Sequence, residues 1–193
     1  MPFQIVKGPI ALPPHLKTVR KTKHNTVYYD KDNGLYYKIY RKHHDKEYSK
    51  FLIDLLSNKK FRKTFCPCLK ALIVAGSATG GHHQTPQNCD LLGYITKAGR
   101  LFTRNDLVSY LQNKATQTMW KHAISKYHFV YNDFKTTNLI WTKKNRASLI
   151  DLDALRPYNG TRKLTRGPNV RRKIALFGLG WYYNYLDSLV KSI

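Results

Sequence analysis

The sequence is poor in acidic residues, and Glu47 is its only glutamate. Eleven aspartate and glutamate residues stand against 34 lysine and arginine residues, so the 193-residue chain has a formal net charge of +23 at pH 7. This charge exceeds what solubility needs and predicts an anionic partner, namely nucleic acid, phospholipid headgroups or a phosphorylated saccharide. The basic residues cluster at residues 17–23, 41–46, 59–63 and 162–173.

Cysteine and long apolar runs are also scarce. The spacing of Cys66 and Cys68 is not that of a zinc finger, so these residues and Cys89 are expected to be free thiols. No uninterrupted apolar stretch reaches transmembrane length, and the first residues lack the layout of a signal peptide. With 42% apolar residues, the chain can form a real core, as one domain or as a small lobe plus a modest one.

Two aspartates and an asparagine lie close together in the second half of the chain. Residues 128–140 are HFVYNDFKTTNLI, which places Asp133 five residues before Asn138, and Asp151 follows at the end of an apolar run. Short apolar runs at residues 139–141 and 147–150 predict a hairpin between them. Phosphoryl transfer from ATP needs one carboxylate at the acceptor hydroxyl, and an amide and a second carboxylate at the magnesium ion. The alternative is that these residues form a polar loop followed by the end of a strand and have no catalytic role.

A lysine and a glutamate upstream form a second pattern. Residues 36–40 (YYKIY) alternate like a strand, and residues 45–56 have the apolar periodicity of a helix that contains Glu47. A strand lysine that meets a helix glutamate positions the α- and β-phosphates of ATP in kinases. We therefore expect Lys38 and Glu47 to form an ion pair, with Lys42 as the competing lysine.

Together these motifs resemble the catalytic core of the protein-kinase-like superfamily, over residues 19–186. The resemblance implies that Asp133 is the catalytic base, that Lys135 is a second catalytic residue, and that Asn138 and Asp151 bind the metal. The implied cofactors are ATP and Mg²⁺. The implied fold is α+β, a minimal two-lobe kinase-like fold. Residues 1–95 would form an N-lobe with an antiparallel sheet and one helix, and residues 96–193 a truncated, mostly helical C-lobe.

Glycine is missing where such kinases fold a glycine-rich loop over the phosphates. Residues 19–29 contain none, although residues 26–29 and 35–38 flank a turn and predict a hairpin. Without glycine the backbone cannot approach phosphates as closely. Side chains of Lys21, Lys23 and Asn25 are expected to replace part of these contacts, and Lys23 is assigned to ATP binding. The same absence favours an alternative, a pseudokinase whose basic face binds nucleic acid or membrane.

The acceptor is suggested by residues 149–157 (LIDLDALRP), which resemble the I-D-F-D-x-x-x-x-R-P run of bacterial lipopolysaccharide-core kinases that act on Kdo or heptose. Asp153 stands where the D-F-G motif has its glycine, which argues against an ordinary eukaryotic-type protein kinase. The resemblance implies a lipid-linked anionic saccharide as acceptor and a cytoplasmic location, with peripheral association at the inner membrane face. The expected acceptor-binding residues are Arg162, Arg166, Arg171 and Arg172.

Two other acceptors stay open. Residues 133–138 also resemble the small tRNA-associated atypical kinase of the KEOPS complex, which implies RNA as a partner. A minimal bacterial effector kinase acting on host protein is the third alternative.

The remaining elements follow from local pattern. Four prolines in residues 1–15 predict an extended lead-in. Strands are predicted at residues 69–75 and 91–95, with a long loop at residues 76–88 between them. One helix is predicted to start at Asn105, with Thr103 or Asn105 itself as its N-cap. A second helix is predicted at residues 116–126, and a single terminal helix at residues 174–186.

Overall fold

The computed structural model describes residues 3–6, 10, 12–42, 44–75, 89–158 and 168–191. The strands are β1 (Phe3–Val6), β2 (Lys17–Lys21), β3 (Asn25–Asp30), β4 (Leu35–Tyr40), β5 (Leu69–Ala75), β6 (Leu91–Lys97), β7 (Arg100–Leu101), β8 (Phe129–Tyr131), β9 (Leu139–Trp141), β10 (Ala147–Leu149) and β11 (Leu155–Pro157). The helices are α1 (Lys46–Ser57), α2 (Lys59–Phe65), α3 (Arg104–Gln112), α4 (Lys114–Tyr127), α5 (Pro168–Phe177) and α6 (Gly180–Lys191). The loop predicted at residues 76–88 lies outside the described residues.

The chain divides into two compact units. Unit 1 comprises Met1–Arg100 and Trp141–Ile150, and unit 2 comprises Leu101–Ile140 and Asp151–Ile193. The division was predicted between residues 95 and 96, and the chain first passes from unit 1 to unit 2 after Arg100. Residues 141–150, however, belong to unit 1. The strands and helices together confirm the predicted α+β class.

The main sheet lies in unit 1 and has six strands, in the order β1-β5-β6-β4-β3-β2. β1 pairs with β5 in parallel, and the other neighbouring pairs are antiparallel. The prediction of a purely antiparallel sheet is therefore wrong. The predicted extended lead-in contains β1, which is itself extended backbone. The prolines of this segment lie outside Phe3–Val6, so its N–H groups are available to extend the sheet along the edge of β5. Two smaller sheets have the orders β10-β9-β7 and β11-β8.

The hairpin predicted around residues 30–34 is confirmed. β3 and β4 pair from Asn25 opposite Tyr40 to Asp30 opposite Leu35. Gly34 has φ +62°, the left-handed region that favours glycine. The Asp30 carboxylate accepts hydrogen bonds from the backbone N–H and the side-chain amide of Asn33, at 3.0 and 2.9 Å, which closes the turn.

Unit 1 contains two helices, where the sequence predicted one. Asn58 ends α1 in an extended conformation, and its side chain accepts a hydrogen bond from the Phe61 N–H at 3.0 Å, so it also begins α2. Phe61 and Phe65, four residues apart, are buried on one face of α2. The sequence of this segment is dominated by the basic residues Lys59, Lys60, Arg62 and Lys63, which conceal that apolar pair.

Unit 2 contains α3 to α6 and an aromatic core. α3 begins with a capping box between Thr103 and Asp106, which confirms Thr103 as the cap. Trp120 of α4 is fully buried. Four aromatic rings surround it at centroid distances of 5.1–6.2 Å, namely those of Phe129, Tyr131, Phe134 and Tyr182.

The chain ends in two helices, so the prediction of one helix over residues 174–186 is wrong. α5 ends at Phe177, and Gly178 follows with φ +66° and donates its N–H to the carbonyl oxygen of Ile174 at 3.0 Å. A glycine in this conformation ends a helix. No helix formed by the described residues has both the length and the apolar character needed to cross a membrane.

The close approach of β6 to β4 gives a stability prediction. A Cβ atom added at Gly93 would lie 2.2 Å from the backbone oxygen of Lys38. Because backbone must move to relieve this clash, Gly93→Ala should lower the free energy of unfolding by about 1–3 kcal/mol in urea denaturation. The control is Gly180→Ala, whose Cβ would meet nothing closer than Ile174 Cγ2 at 3.9 Å. Equal stability of the two variants would contradict the close approach.

Candidate functional site

The loop that follows β8 is anchored by Phe134. This side chain is 1% exposed. Its ring centroid lies 5.0 Å from that of Tyr131, 5.1 Å from that of Trp120 and 5.2 Å from that of Tyr182. Because the buried ring fixes the backbone on either side of it, the neighbouring residues Asp133 and Lys135 are attached to a rigid part of unit 2.

Asn138 joins the two aspartates predicted for the site. It ends a single 3₁₀ turn (Thr136–Asn138) and is 4% exposed. Its Nδ2 atom donates to the backbone oxygen and to Oδ2 of Asp133, at 3.0 and 2.9 Å, and lies 3.2 Å from Oδ2 of Asp151. The structure therefore brings Asp133, Asn138 and Asp151 into one hydrogen-bonded cluster within unit 2.

Two lysines hold the Asp133 carboxylate. Nζ of Lys135 donates to Oδ2 at 2.5 Å, and Nζ of Lys173 donates to Oδ1 at 2.8 Å. Lys173 also donates to the backbone oxygen of Asn132 at 3.3 Å. Both carboxylate oxygens thus accept from ammonium groups.

Lys173 was not among the predicted site residues. It ends the basic run Arg171-Arg172-Lys173, which marks the segment as positively charged but does not show which member reaches Asp133. One feature of the sequence distinguishes Lys173 from Arg171 and Arg172. It is the basic residue directly before Ile174, where the apolar stretch of α5 starts.

The surroundings of Asp133 have opposite effects on its pKa. Burial raises the pKa of this carboxyl group, but the hydrogen bonds and charges of Lys135 and Lys173 together outweigh burial, so the pKa lies below its ordinary value of 3.8. Asp133 is therefore ionised at neutral pH. Burial, and secondarily the Asp133 charge, raises the pKa of Tyr183, which stays neutral.

Asn138 and Asp151 fit a magnesium ion chemically. Mg²⁺ prefers oxygen donors at about 2.1 Å in an octahedron, in which adjacent ligands lie about 3.0 Å apart. The amide end of Asn138 and Oδ2 of Asp151 are 3.2 Å apart. Nδ2 of Asn138 also faces the backbone oxygen of Asp133, which can only accept, so the amide nitrogen is fixed on this side. A magnesium ion would therefore be held by Oδ1 of Asn138 and by the carboxylate of Asp151, the oxygen donors that these two residues supply.

Unit 1 places Lys38 and Glu47 on the predicted elements without joining them. Lys38 lies on β4, and its ammonium group is 5.6 Å from the ring centroid of Tyr94. Glu47 is exposed in the first turn of α1. Within the part of the chain that the structure describes, no ion pair connects these two residues. Their pairing in an active state stays a prediction.

The turn between β2 and β3 differs from a glycine-rich loop in how its backbone is used. The Thr22 hydroxyl accepts hydrogen bonds from the N–H groups of His24 and Asn25, at 3.2 and 3.1 Å, and the Thr22 N–H donates to the Asn25 oxygen at 2.8 Å. These N–H groups are already bonded and are not available to phosphates. Lys23 is exposed in this turn, so any phosphate contact here comes from side chains.

The predicted acceptor residues are only partly described. Arg171 and Arg172 lie on α5 and are exposed. Arg162 and Arg166 lie outside the described residues. The basic character of α5 next to Asp133 is thus established by Lys173 and its two neighbours.

Comparison with known proteins does not assign the chain to a family. No protein-family model matches the sequence. A search of curated proteins also gave no match. Function is therefore argued from the chemistry of the site.

The two lysines at Asp133 give a pH-dependent prediction. A carboxyl group whose pKa is lowered by folding adds stability above its unfolded-state pKa and loses it as pH falls through the folded-state pKa. Lys173→Met should thus lower the free energy of unfolding by about 0.5–1 kcal/mol at neutral pH. The difference should shrink at pH values well below 3.8, where Asp133 becomes protonated.

Urea denaturation at both pH values measures this difference, and Lys173→Arg, which keeps the charge, is the control. A difference that stays constant between the two pH values would mean that Lys173 stabilises the protein through packing alone.

Proposed function

We propose that the chain is an ATP- and Mg²⁺-dependent phosphotransferase that moves the γ-phosphate of ATP to a hydroxyl group. The observation that supports this most is the buried Asn138 amide, which connects the carboxylates of Asp133 and Asp151. In this proposal Asp133 orients the acceptor hydroxyl and accepts its proton, while Asn138 and Asp151 hold Mg²⁺ at the phosphates. Magnesium supplies the positive charge that neutralises the β- and γ-phosphate oxygens.

A minimal kinase-like two-lobe fold belongs to the same proposal. Lys38 lies on the third strand of the antiparallel series β2-β3-β4, and Glu47 lies on the helix that follows. Kinases carry the phosphate-binding lysine and its glutamate partner on such a strand and helix. Unit 2, which contains four of the six described α-helices, supplies Asp133, Asn138 and Asp151.

The lysines at Asp133 have a role in this chemistry. Each carboxylate oxygen has about two acceptor sites. Oδ2 of Asp133 already accepts from Lys135 and Asn138, so an acceptor hydroxyl can bind at Oδ1, alongside Lys173. Both ammonium groups then lie within a few ångströms of the reacting oxygen, where negative charge develops on the transferred phosphoryl group. Fixed positive charge at that place lowers the energy of the transition state.

The proposed acceptor is anionic, with a lipid-linked saccharide of the lipopolysaccharide-core type as the first choice. Support comes from α5, which contributes Lys173 to the Asp133 cluster and exposes Arg171 and Arg172. A cytoplasmic location with peripheral membrane association belongs to this proposal. Protein and RNA are the alternative acceptors. Measuring phosphate transfer to a saccharide, a protein and an RNA substrate in turn distinguishes the three.

A second candidate function is a pseudokinase, a binding module without turnover. Two observations favour it. Glu47 is exposed and makes no ion pair with Lys38 in the described part of unit 1. The N–H groups of His24 and Asn25 are bonded to Thr22 and cannot bind phosphates.

Binding of Mg-ATP is the first test of the proposed function. Wild-type protein should gain several degrees in Tm with millimolar Mg-ATP, because a ligand that binds only the folded state stabilises it. The gain should vanish in Asp151→Ala and when EDTA removes the metal. Asp54→Ala is the control, since it removes an exposed carboxylate that pairs only with Lys50 in the described structure. Absence of a shift in the wild type would favour the binding module.

The lysine assignment is tested by turnover, measured as formation of ADP from ATP. Lys38→Met should reduce the rate about 100-fold or more, since a donor aimed at the transferring group contributes on that scale. Its effect on Tm should be small. Lys42→Met, which removes an exposed lysine two residues after β4, should keep the wild-type rate. The opposite result would identify Lys42 as the phosphate-binding lysine.

A further inference from the structure

One face of the main sheet in unit 1 carries tyrosines beside basic residues. Tyr29 of β3 lies opposite Lys17 of β2 and opposite Tyr36 of β4. Directly opposed residues of antiparallel strands point to the same face, so Lys17, Tyr29 and Tyr36 form one row across three strands. The rings of Tyr29 and Tyr36 are 4.7 Å apart, with an interplanar angle of 31°.

A bulge in β2 adds a second basic residue to this face. Arg20 pairs with Val27, and Val27 pairs with Lys38, which makes the next row. Lys17 and Arg20 are three residues apart, an odd spacing that would place them on opposite faces of a regular strand. The register shift between Thr18 and Arg20 returns Arg20 to the face of Lys17. We call Lys17, Arg20, Tyr29 and Tyr36 the basic tyrosine face.

This face is open to solvent. β2 is the last strand of the sheet, and all five of its residues are exposed, including Lys17 and Arg20. Tyr29 and Tyr36 are partly exposed. Two tyrosine rings in contact with each other and with water offer a flat, partly apolar surface between positive charges.

The charge around the face is strongly positive. Residues 17–42 contain eight lysine and arginine residues and two aspartates. Asp30, one of these aspartates, is 2% exposed, and its carboxylate is bonded within the β3–β4 turn. The negative charge that could neutralise the face is therefore small.

We propose that the basic tyrosine face binds single-stranded nucleic acid. An unpaired base stacks on an aromatic side chain with a gain of about 1–3 kcal/mol, and lysine and arginine neutralise the phosphates between bases. A lipid headgroup or an anionic saccharide has charge but no aromatic ring, so neither provides a base that stacks on the tyrosine pair. This binding requires neither Asp133 nor Asp151 nor Mg²⁺. Its test therefore does not depend on phosphotransfer, although Lys38, the proposed ATP-binding lysine, lies in the next row of the same face.

The opposite face of the same strands provides matched controls. Tyr28 and Tyr37 are each one residue away from the tyrosines of the face, and they pair with each other. Tyr37 packs against the buried cluster of Ala71, Ile73, Leu92 and Ile95. Adjacent strand residues point to opposite faces, so Tyr28 does not belong to the basic tyrosine face.

The test measures fluorescence anisotropy of a labelled oligothymidylate with the full chain, without ATP or magnesium. An abasic oligonucleotide of the same length keeps the phosphates and lacks the bases, and it should bind wild-type protein at least about tenfold more weakly. Heparin, a polyanion without bases, should bind Tyr29→Leu/Tyr36→Leu as well as it binds the wild type. Oligothymidylate should bind this variant at least about tenfold more weakly.

Three further variants sharpen the result. Tyr29→Phe/Tyr36→Phe keeps both rings and should retain wild-type affinity, and so should Tyr28→Leu. Lys17→Gln/Arg20→Gln should reduce the slope of log affinity against log salt by about 1.4, the value for two lost phosphate contacts on a single strand.

Equal affinity of the wild type for the abasic and the thymidylate strands would overturn the proposal and leave charge as the only attraction. The comparison of abasic and thymidylate strands uses only wild-type protein. It therefore tests the proposal even if Tyr29→Leu/Tyr36→Leu fails to fold. Displacement of oligothymidylate by ATP at concentrations near those of the oligonucleotide would also overturn the proposal, because it would identify the face as a mononucleotide site.

Discussion

The buried amide of Asn138 is the interaction on which the candidate site depends. Its Nδ2 atom bonds to the backbone and the carboxylate of Asp133 and reaches the carboxylate of Asp151. Two carboxylates so close together repel each other unless donors lie between them. Asn138 supplies donors on the inner side, and Lys135 and Lys173 supply them around Asp133. The result is an ionised, oriented Asp133 next to a pair of oxygen donors.

The aromatic core of unit 2 keeps this arrangement in place. The Tyr182 hydroxyl accepts a hydrogen bond from the Tyr131 N–H at 2.8 Å and donates to the Tyr131 oxygen at 3.3 Å. Burial raises the pKa of Tyr182, so its hydroxyl keeps the proton it donates. Phe134 packs between Trp120 and Tyr182, directly beside Asp133. The loop geometry therefore results from side chains on α4, β8 and α6.

Sequence reasoning found the parts that depend on short-range pattern. Asp133, Asn138 and Asp151 are separated by only a turn and a hairpin, so their spacing already limits how far apart they can lie. Long-range contacts were not predictable in the same way. The parallel pairing of β1 depends on a free edge of β5, and the contact of Lys173 with Asp133 depends on how α5 packs. The break at Gly178 was hidden because one apolar run spans both terminal helices.

Transfer of labelled γ-phosphate from ATP tests the central claim most directly. Purified wild-type protein and Asp133→Asn, which keeps the shape of the side chain and removes its charge, are each incubated with Mg-ATP and separate lipopolysaccharide, protein and tRNA fractions. The account predicts that wild-type protein labels one of these fractions, and that Asp133→Asn, although it stays folded, leaves all of them unlabelled. Equal labelling by both proteins, or no labelling and no phosphate release by the wild type, would contradict it.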